Sequence, residues 1–140
     1  MLKVTFPENV PDEKLEFAVI VARSEGKWVF CKHRERDTYE CPGGHREPGE
    51  NIEQTARREL WEETGAEEFA LRKIGPYAVD DEGTVTYGMF YFAEIEQFGQ
   101  LPELEIERVE LMETLPEAWS YPQIQPYLIN RVREMEIVSY

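Results

Sequence analysis

One segment of the chain places acidic side chains along the buried edge of a helix, and this feature constrains the fold most. Asn51 is a favourable N-cap, the apolar spacing predicts a helix over Ile52–Thr64, and Gly65 ends it. At about 100° per residue, Glu59 and Glu63 fall within about 20° of the apolar stripe. The helix should therefore pack against a core and hold carboxylates at the border of that core.

These carboxylates need a cation nearby. The simplest interpretation of Glu-Leu-Trp-Glu-Glu is a solvated helix surface. Against it, like charges three or four residues apart destabilise a helix by roughly 0.2–0.5 kcal/mol per pair, and partial burial costs more. Arg57 and Arg58 cannot neutralise the glutamates around them, which are Glu47, Glu50, Glu53, Glu59, Glu62 and Glu63. Clustered carboxylates without His or Cys favour Mg²⁺ or Mn²⁺ over zinc.

The overall charge excludes another class of partner. The chain has 15 basic and 29 acidic residues, so its formal net charge is −14. A field of this sign repels polyanions, which argues against binding a nucleic acid polymer or an anionic membrane through a basic face. Between Glu40 and Glu68, nine acids oppose three arginines, so −6 of the −14 lies around the acidic helix.

The remaining composition predicts one cytoplasmic domain over residues 1–140. The longest apolar run, Phe17–Ala22, is too short to cross a bilayer, and the N-terminal residues do not resemble a signal peptide. Cys31 and Cys41 are predicted to be reduced thiols, since a cytosolic chain of this size does not need a disulfide. Two cysteines and two histidines are too few for a typical zinc site.

Strands and a second helix surround the acidic helix in the predicted fold. Residues 35–49 are rich in Gly and Pro and are predicted to be a loop. The predicted strands are Leu15–Ser24, Lys27–Arg34, Phe69–Val79, Thr84–Ile95 and Arg108–Met112. A second helix is predicted over Pro122–Glu136, with an apolar stripe of Ile124, Tyr127, Leu128, Val132 and Met135. This mixture predicts an α/β or α+β layered domain.

The segment Gly44–Ala66 resembles the Nudix box, G-x5-E-x7-R-E-U-x-E-E-x-G-U, in which U is apolar. Every fixed position is filled, by Gly44, Glu50, Arg58, Glu59, Leu60, Glu62, Glu63, Gly65 and Ala66. The chain is therefore similar to Nudix hydrolases of the MutT type. This resemblance implies an α/β/α sandwich with a mixed β-sheet, as a monomer or homodimer. It also implies Mg²⁺-dependent hydrolysis of a nucleoside diphosphate linked to another moiety, with Mn²⁺ as a possible substitute.

The resemblance assigns catalytic roles by position. Glu59, Glu62 and Glu63 would be metal ligands, together with a backbone carbonyl of Gly44 or of its neighbour Gly43. Glu59 is the first choice for the general base, because it should lie closest to the glycine loop. Divalent ions in such a site bridge phosphate oxygens and lower the pKa of the attacking water, and a carboxylate accepts its proton.

Two further positions complete the implied site. Glu50 would pair with Arg58 and hold the catalytic helix to its loop. Relatives often recruit another acid from a loop before the last strand, and Glu105 has the most suitable spacing for a ligand or base. The alternative is that residues 103–107 form a solvated acidic loop.

The substrate contacts are predicted from residues that precede the box. Lys32, Arg34 and Arg36 could bind phosphate, Tyr39 could stack on a base, and Gly43 could allow a close approach of the ligand. The alternatives are a solvated strand end for the basic residues and ordinary packing for the tyrosine.

The resemblance favours MutT-type members, which convert nucleoside triphosphates, including 8-oxo-dGTP, to monophosphate and pyrophosphate. Where a proline would suggest ADP-ribose, the chain has Asp81 and Glu82; where a tyrosine would suggest dinucleoside polyphosphates, it has Gly83 and Thr84. Hydrolysis of ADP-ribose, another dinucleotide or a nucleotide sugar stays open as an alternative. So does a non-catalytic nucleotide sensor, although no box glutamate is missing. A calcium site in Asp80–Gly83 lacks the alternating acids of a calcium loop.

Overall fold

A computed structural model of the protein describes residues 2–135, which form eight strands and two helices. The strands are β1 (Leu2–Thr5), β2 (Leu15–Ser24), β3 (Lys27–His33), β4 (Tyr39–Glu40), β5 (Gly43–His45), β6 (Ala66–Asp81), β7 (Thr84–Phe98) and β8 (Ile106–Met112). The helices are α1 (Ile52–Thr64) and α2 (Gln125–Glu134), and a 3₁₀ turn covers Asp12–Lys14.

The eight strands form one mixed sheet in which β2 has a central position. The main order is β1-β6-β7-β2-β3-β4, β5 also pairs with β2, and β8 pairs with β3. The pairing of β2 with β7 is parallel and the other pairings are antiparallel. One end of β2 pairs with β3, while its beginning, around Ala18, pairs with β5. This arrangement puts the glycine-rich β5 in the middle of the sheet, beside α1.

Side chains alternate across β2 and form a core on each side of the sheet. Ala18, Ile20 and Ala22 belong to the core that contains the apolar residues of α1, which are Ile52, Ala56 and Leu60. Val19 and Val21 belong to the opposite core, with the α2 residues Leu128, Ile129 and Val132. The sheet is therefore covered by one helix on each face, and the predicted α/β/α sandwich is confirmed.

Several predicted strand boundaries were wrong. The predicted loop over residues 35–49 contains β4 and β5, and β1 was not predicted at all. Both β6 and β7 extend beyond their predicted ends, and β8 begins at Ile106 rather than at Arg108. Strands as short as β4 and β5 are held by backbone pairing with β3 and β2, and Gly-Gly carries no apolar alternation that would reveal such pairing.

The second helix begins later than predicted, at Gln125 instead of Pro122. The chain from Tyr121 to Ile124 forms a turn, and Pro126 occupies the first turn of α2, where a missing N–H costs nothing. From this start the buried face comprises Gln125, Leu128, Ile129 and Val132, whereas Tyr127 and Met135 are exposed. Their placement in the apolar stripe was therefore wrong, and Glu136 lies outside the described residues. Over residues 2–135, neither helix has the length and hydrophobicity needed to cross a membrane.

Candidate active site

Local hydrogen bonds fix both ends of α1 and therefore the direction of its acidic face. The Asn51 side chain accepts from the Gln54 N–H at 2.8 Å, and the Gln54 side chain accepts from the Asn51 N–H at 2.9 Å. At the other end Gly65 has a φ of 75°, and its N–H donates to the Trp61 carbonyl at 2.8 Å. The predicted bounds of this helix are confirmed, because capping depends on residues adjacent in sequence.

The backbone of β5 lies directly against the carboxylates of α1. The Gly43 N–H donates to Glu63 Oε1 at 3.0 Å. A Cβ atom on Gly44 would overlap the Glu59 carboxylate, and one on Gly43 would stand 2.5 Å from the Ala18 carbonyl oxygen. Only glycine fits at either position without displacing its neighbour. Gly44 leaves room for the Glu59 carboxylate of the acidic helix, whereas Gly43 allows β5 to lie close to β2.

An open cleft of about 420 Å³ lies between β5, α1 and the loop before β8. It brings together acids from three separate parts of the sequence and is rich in carboxylate oxygen. Its acidic side chains are Glu47, Glu59, Glu62, Glu63 and Glu105, and Gly43 and Gly44 form part of its backbone lining. All of the predicted metal ligands therefore line one cleft.

Arg58 is the cationic centre of this acidic group. Its Nη2 donates to Glu50 Oε1 at 3.1 Å and to the His45 carbonyl at 2.9 Å. Its Nη1 lies 3.1 Å from Glu62 Oε2 and 3.4 Å from Glu59 Oε2. The two residues predicted to pair, Glu50 and Arg58, therefore do contact each other. The same guanidinium also ties the loop after β5 to the acidic face of α1.

Burial raises the pKa of two carboxyl groups in the cleft. The pKa of Glu59 rises to about 7, chiefly because of burial; Arg58 opposes the rise and Glu62 adds to it. The pKa of Glu63 rises to about 9, again mainly through burial, and the Gly43 N–H opposes that rise. Both groups therefore resist carrying their negative charges without a nearby cation.

The pKa of Glu50 moves in the opposite direction. It falls to about 2, first because Arg58 donates a hydrogen bond to the carboxylate. The Glu47 N–H, at 3.0 Å, and the Thr55 hydroxyl, at 2.9 Å, also donate to Glu50 Oε1. Glu50 is therefore a satisfied structural carboxylate, unlike Glu59 and Glu63.

The donor set fits a hard divalent cation. Side-chain and backbone oxygens line the cleft. Burial raises the pKa of two of its carboxyl groups, which means that burial disfavours their charged forms. A bound cation would offset this free-energy cost of ionisation. Across residues 2–135, no three His, Cys, Asp or Glu side chains converge as a ready-made metal-binding group. Here Arg58 stands among the carboxylates and partly balances their charge.

Glu105 reaches the cleft from the loop before β8. Its side chain is 76% exposed, and Oε2 lies 3.8 Å from Nε2 of His33. Its carbonyl accepts from the Arg34 N–H at 2.9 Å, which holds the loop against the end of β3. The nearby Glu107 does not line the cleft and is paired with Lys32 instead.

Comparison with known proteins identifies the family. The NUDIX domain profile matches residues 12–131. The chain belongs to the Nudix hydrolase family. The predicted family membership is thus confirmed, and so is the general assignment as a hydrolase of phosphoric anhydride bonds.

Three relatives show how similar this Nudix hydrolase is to known members. One is the Bacillus subtilis (strain 168) protein named "Putative 8-oxo-dGTP diphosphatase YtkD", which is 34% identical over 117 residues, 83% of this chain and 73% of that protein. An ADP-ribose pyrophosphatase of the same strain is 39% identical over 108 residues, 72% of this chain and 58% of that protein. The crystal structure of the Bacillus subtilis pyrophosphohydrolase BsRppH superimposes with a TM-score of 0.82 at 28% identity, covering 99% of this chain and 93% of that one.

The predicted phosphate contacts lie outside the acidic cleft of this Nudix hydrolase. None of the four side chains predicted to bind substrate, Lys32, Arg34, Arg36 and Tyr39, lines it, whereas Gly43 does. Each of the four contacts a protein partner: Lys32 with Glu107 at 3.3 Å, Arg34 with the Leu104 carbonyl at 2.8 Å, Arg36 with Glu40 at 2.9 Å and Tyr39 with Glu110 at 2.6 Å. Their contact with substrate stays a prediction.

A second pocket, which the sequence did not reveal, adjoins the cleft at β5. Its volume is about 280 Å³, and both cavities are lined by Gly43, Gly44 and His45. Its other walls are largely apolar and aromatic and include Phe17, Val19, Tyr77, Val79, Tyr121 and Ile124. These residues come from β2, β6 and the turn before α2, so no local sequence motif brings them together.

Proposed function

We propose that this Nudix hydrolase converts a nucleoside triphosphate to the monophosphate and pyrophosphate, and that an oxidised purine nucleotide such as 8-oxo-dGTP is its leading substrate. The observation that carries the proposal is the junction of the acidic cleft and the aromatic pocket along β5. A nucleoside in the pocket would extend its phosphates across Gly43 and Gly44 toward the carboxylates. Aromatic walls suit a nucleobase, and the acidic cleft suits cation-assisted phosphate chemistry.

The relatives support this reaction. The name of YtkD refers to 8-oxo-dGTP diphosphatase activity, and BsRppH is described as a pyrophosphohydrolase. Both matches extend over most of this chain. Both names describe enzymes that cleave a phosphoric anhydride bond. This reaction agrees with the complete Nudix box of this chain, in which every glutamate from Glu50 to Glu63 is present.

The residues that would hold Mg²⁺, or Mn²⁺ in its place, are Glu59, Glu62, Glu63, Glu105 and the Gly44 carbonyl. When bound, such an ion neutralises phosphate charge and lowers the pKa of an attacking water. The chain keeps these donors in one cleft through the Gly43–Glu63 hydrogen bond and the contacts of Arg58. A bound divalent ion would offset the negative charges of the phosphates and of the carboxylates. Nucleotide binding would therefore not require a basic protein face.

Glu59 is proposed as the general base. In the cleft without metal, burial raises its pKa to about 7, so Glu59 binds a proton more tightly than an ordinary carboxylate does. Its carboxylate lies against Gly44, at the junction between the two cavities, so it borders the position where the phosphate chain would cross β5. Arg58 Nη1 lies 3.4 Å from Glu59 Oε2 and partly balances its charge.

ADP-ribose is a second candidate substrate, because one relative named as an ADP-ribose pyrophosphatase is 39% identical to this chain. That protein is longer than the matched region, which covers 58% of it. An ADP-ribose substrate would place its adenosine in the same aromatic pocket and its diphosphate in the same cleft. Product analysis separates the two reactions, because ADP-ribose yields AMP and ribose phosphate without pyrophosphate.

The test is a substrate panel with products separated by ion-exchange chromatography. Nucleoside triphosphates, 8-oxo-dGTP, ADP-ribose, dinucleoside polyphosphates and nucleotide sugars are incubated with the protein in Mg²⁺ and in EDTA. The expected result is monophosphate plus pyrophosphate from triphosphates, with Mg²⁺ only. Glu59→Gln should abolish most of this turnover, and Glu53→Gln is the matched control, because Glu53 is exposed on the same helix and pairs with Arg57. Turnover of ADP-ribose alone would replace the proposed reaction, and no turnover of any compound would favour a nucleotide sensor.

A further inference from the structure

Two buried polar side chains stand in the largely apolar pocket beside β5. Glu40 is 7% exposed and Gln125 is 5% exposed, and both line the pocket. They are neighbours, because the N–H of Cys41, the residue after Glu40, donates to Gln125 Oε1 at 2.7 Å. Buried polar groups of this kind are normally fully hydrogen-bonded, so each one needs an account of its partners.

The amide of Gln125 has a fixed orientation and an unused donor. A backbone N–H can only donate, so the atom facing Cys41 must be the Gln125 carbonyl oxygen. The amide nitrogen, Nε2, therefore points away from this contact. Within residues 2–135, Nε2 has no hydrogen-bond partner. The pocket is thus lined by a residue with a free donor, and the hydrogen bond from the Cys41 N–H orients its amide.

The carboxylate of Glu40 complements this donor with an acceptor. Its Oε1 accepts from Arg36 Nη1 at 2.9 Å, and the same guanidinium lies 3.4 Å from the Tyr121 hydroxyl at the rim of the pocket. The second oxygen, Oε2, has no hydrogen-bond partner in the described part of the chain. The lining of the pocket therefore includes one residue with a free acceptor, Glu40, and one residue with a free donor, Gln125.

We propose that Glu40 and Gln125 recognise the base edge of a guanine nucleotide in this pocket. Guanine carries two adjacent donors, N1–H and the 2-amino group, which match a carboxylate, and its O6 accepts from an amide N–H. Adenine instead presents an unprotonated N1, which a carboxylate repels. Oxidation at C8 leaves the guanine edge unchanged, so these residues would select guanine whether or not it is oxidised. The inference rests on the proposed function, because it treats the pocket as the nucleoside site.

Hydrogen-bonding residues of this kind give strong selection. A site built to bond a particular group rejects an analogue that lacks it, because the buried protein atoms are then left unpaired. Bidentate contacts between side chains and base edges discriminate by about 1–3 kcal/mol, which corresponds to roughly fivefold to 150-fold in affinity. We therefore expect GMP to bind at least about tenfold more tightly than IMP, which lacks the 2-amino group, or AMP.

The experiment measures binding of GMP, IMP and AMP by isothermal titration calorimetry in EDTA, so that no metal and no catalysis are involved. Glu40→Gln keeps an oxygen for Arg36 and replaces the free acceptor by a donor. Gln125→Glu keeps an oxygen for the Cys41 N–H and replaces the free donor by an acceptor. Each variant should lose most of the preference for GMP over AMP, and the double variant should prefer AMP. Glu110→Gln is the control, because it removes one carboxylate near β4 that lines neither cavity.

Equal binding of the three nucleotides to the unmodified protein would overturn the proposal and requires no variant. The melting temperature of each variant shows whether it is folded. An unchanged preference for GMP in either folded variant would also overturn the proposal. The two proposals remain separable. A GMP preference without triphosphate hydrolysis would remove the proposed reaction and leave base recognition intact, whereas hydrolysis without base preference would do the reverse.

Discussion

Gly44 and Glu59 pack so closely that a Cβ atom at position 44 would overlap the Glu59 carboxylate. The glycine of the box therefore has a steric role in addition to any contact that its carbonyl makes with a ligand. It leaves room for the Glu59 carboxylate of α1 against the backbone of β5. Any side chain at this position must displace either the strand or the carboxylate proposed as the general base.

Gly44→Ala should therefore lower kcat while leaving the fold intact. Displacing a catalytic group by about 1 Å costs roughly 100-fold in rate, and we expect a loss of that order. The measurement is kcat on the best substrate, together with the melting temperature. Gly75→Ala is the matched control, because a Cβ there has no atom within 4 Å and the backbone has no positive φ. Equal effects of the two substitutions on kcat would contradict the steric role of Gly44.

The buried carboxyl group of Glu63 predicts how stability depends on pH without metal. Its pKa in the folded protein, about 9, lies above the ordinary value of 4.5, so the folded state binds the proton more tightly than the unfolded state. Stability should therefore fall as pH rises from about 4.5 towards 9, and the shift of Glu59 to about 7 acts in the same direction. Below pH 4.5 Glu59 and Glu63 are protonated in the folded and in the unfolded protein, so they cause no loss of stability there.

Glu63→Gln should raise the melting temperature in EDTA, by an amount that grows from pH 5 to pH 8.5. The glutamine can still accept from the Gly43 N–H but carries no buried charge. Adding Mg²⁺ should stabilise the unmodified protein more at pH 8.5 than at pH 5, because the ligands must be deprotonated to bind. Differential scanning fluorimetry measures both effects, with Glu53→Gln as the exposed control. A stabilisation by Glu63→Gln that did not change with pH would contradict the assigned pKa.

The part of the site that follows the helix could be predicted from the sequence. Asn51, Gln54 and Gly65 are close in the chain and set the ends of α1 by themselves. Once those ends are known, the 3.6-residue period alone places Glu59, Glu62 and Glu63 near one edge of the helix. The cleft that gathers them with Gly44 is the consequence of that local geometry and of the close approach that glycine allows.

The pocket beside β5 depends on contacts that no local pattern encodes. Cys41 and Gln125 are 84 residues apart, and their hydrogen bond requires α2 to be packed against the sheet. Arg36 illustrates the same limit. Its position before the box predicts a contact with phosphate, which stays a prediction, whereas the contacts of its guanidinium with Glu40 and Tyr121 depend on the tertiary structure. Charge in a sequence predicts a partner of opposite charge without saying which one.

Arg58→Lys should destabilise the protein nearly as much as Arg58→Ala. A lysine keeps the charge but cannot contact Glu50, Glu62 and the His45 carbonyl at the same time, as the guanidinium does. Losing hydrogen bonds to charged partners costs about 1.5–3 kcal/mol, measurable as a change in the free energy of unfolding in urea. A lysine variant as stable as the unmodified protein would show that charge alone is sufficient.

The effect of Arg58 should also depend on pH in the acid range. The pKa of Glu50 in the folded protein, about 2, lies below its ordinary value of 4.5. The stabilisation that this pair contributes is therefore fully present above about pH 4.5 and is lost as pH falls through about 2. We expect the difference in unfolding free energy between the unmodified protein and Arg58→Ala to be larger at pH 6 than at pH 3. A difference independent of pH would contradict the assigned role of Glu50.

Arg34 offers a test that separates a phosphate contact from a positioning role. Its side chain donates to the Leu104 carbonyl at 2.8 Å, and its N–H donates to the Glu105 carbonyl at 2.9 Å. The structure thus connects Arg34 to the loop that brings Glu105 to the acidic cleft. Arg34→Ala removes the side-chain bond and should let this loop move, which lowers kcat if Glu105 acts in catalysis.

Steady-state kinetics on the best substrate distinguishes the two roles. A positioning role predicts that Arg34→Ala lowers kcat more than it raises KM, and that adding Arg34→Ala to Glu105→Gln lowers kcat little further, because residues acting through one group are not additive. A direct phosphate contact predicts the opposite, a raised KM with nearly unchanged kcat in either background. Glu103→Gln is the control, because Glu103 lies in the same loop but outside the cleft. Additive losses of kcat would contradict a shared role of Arg34 and Glu105.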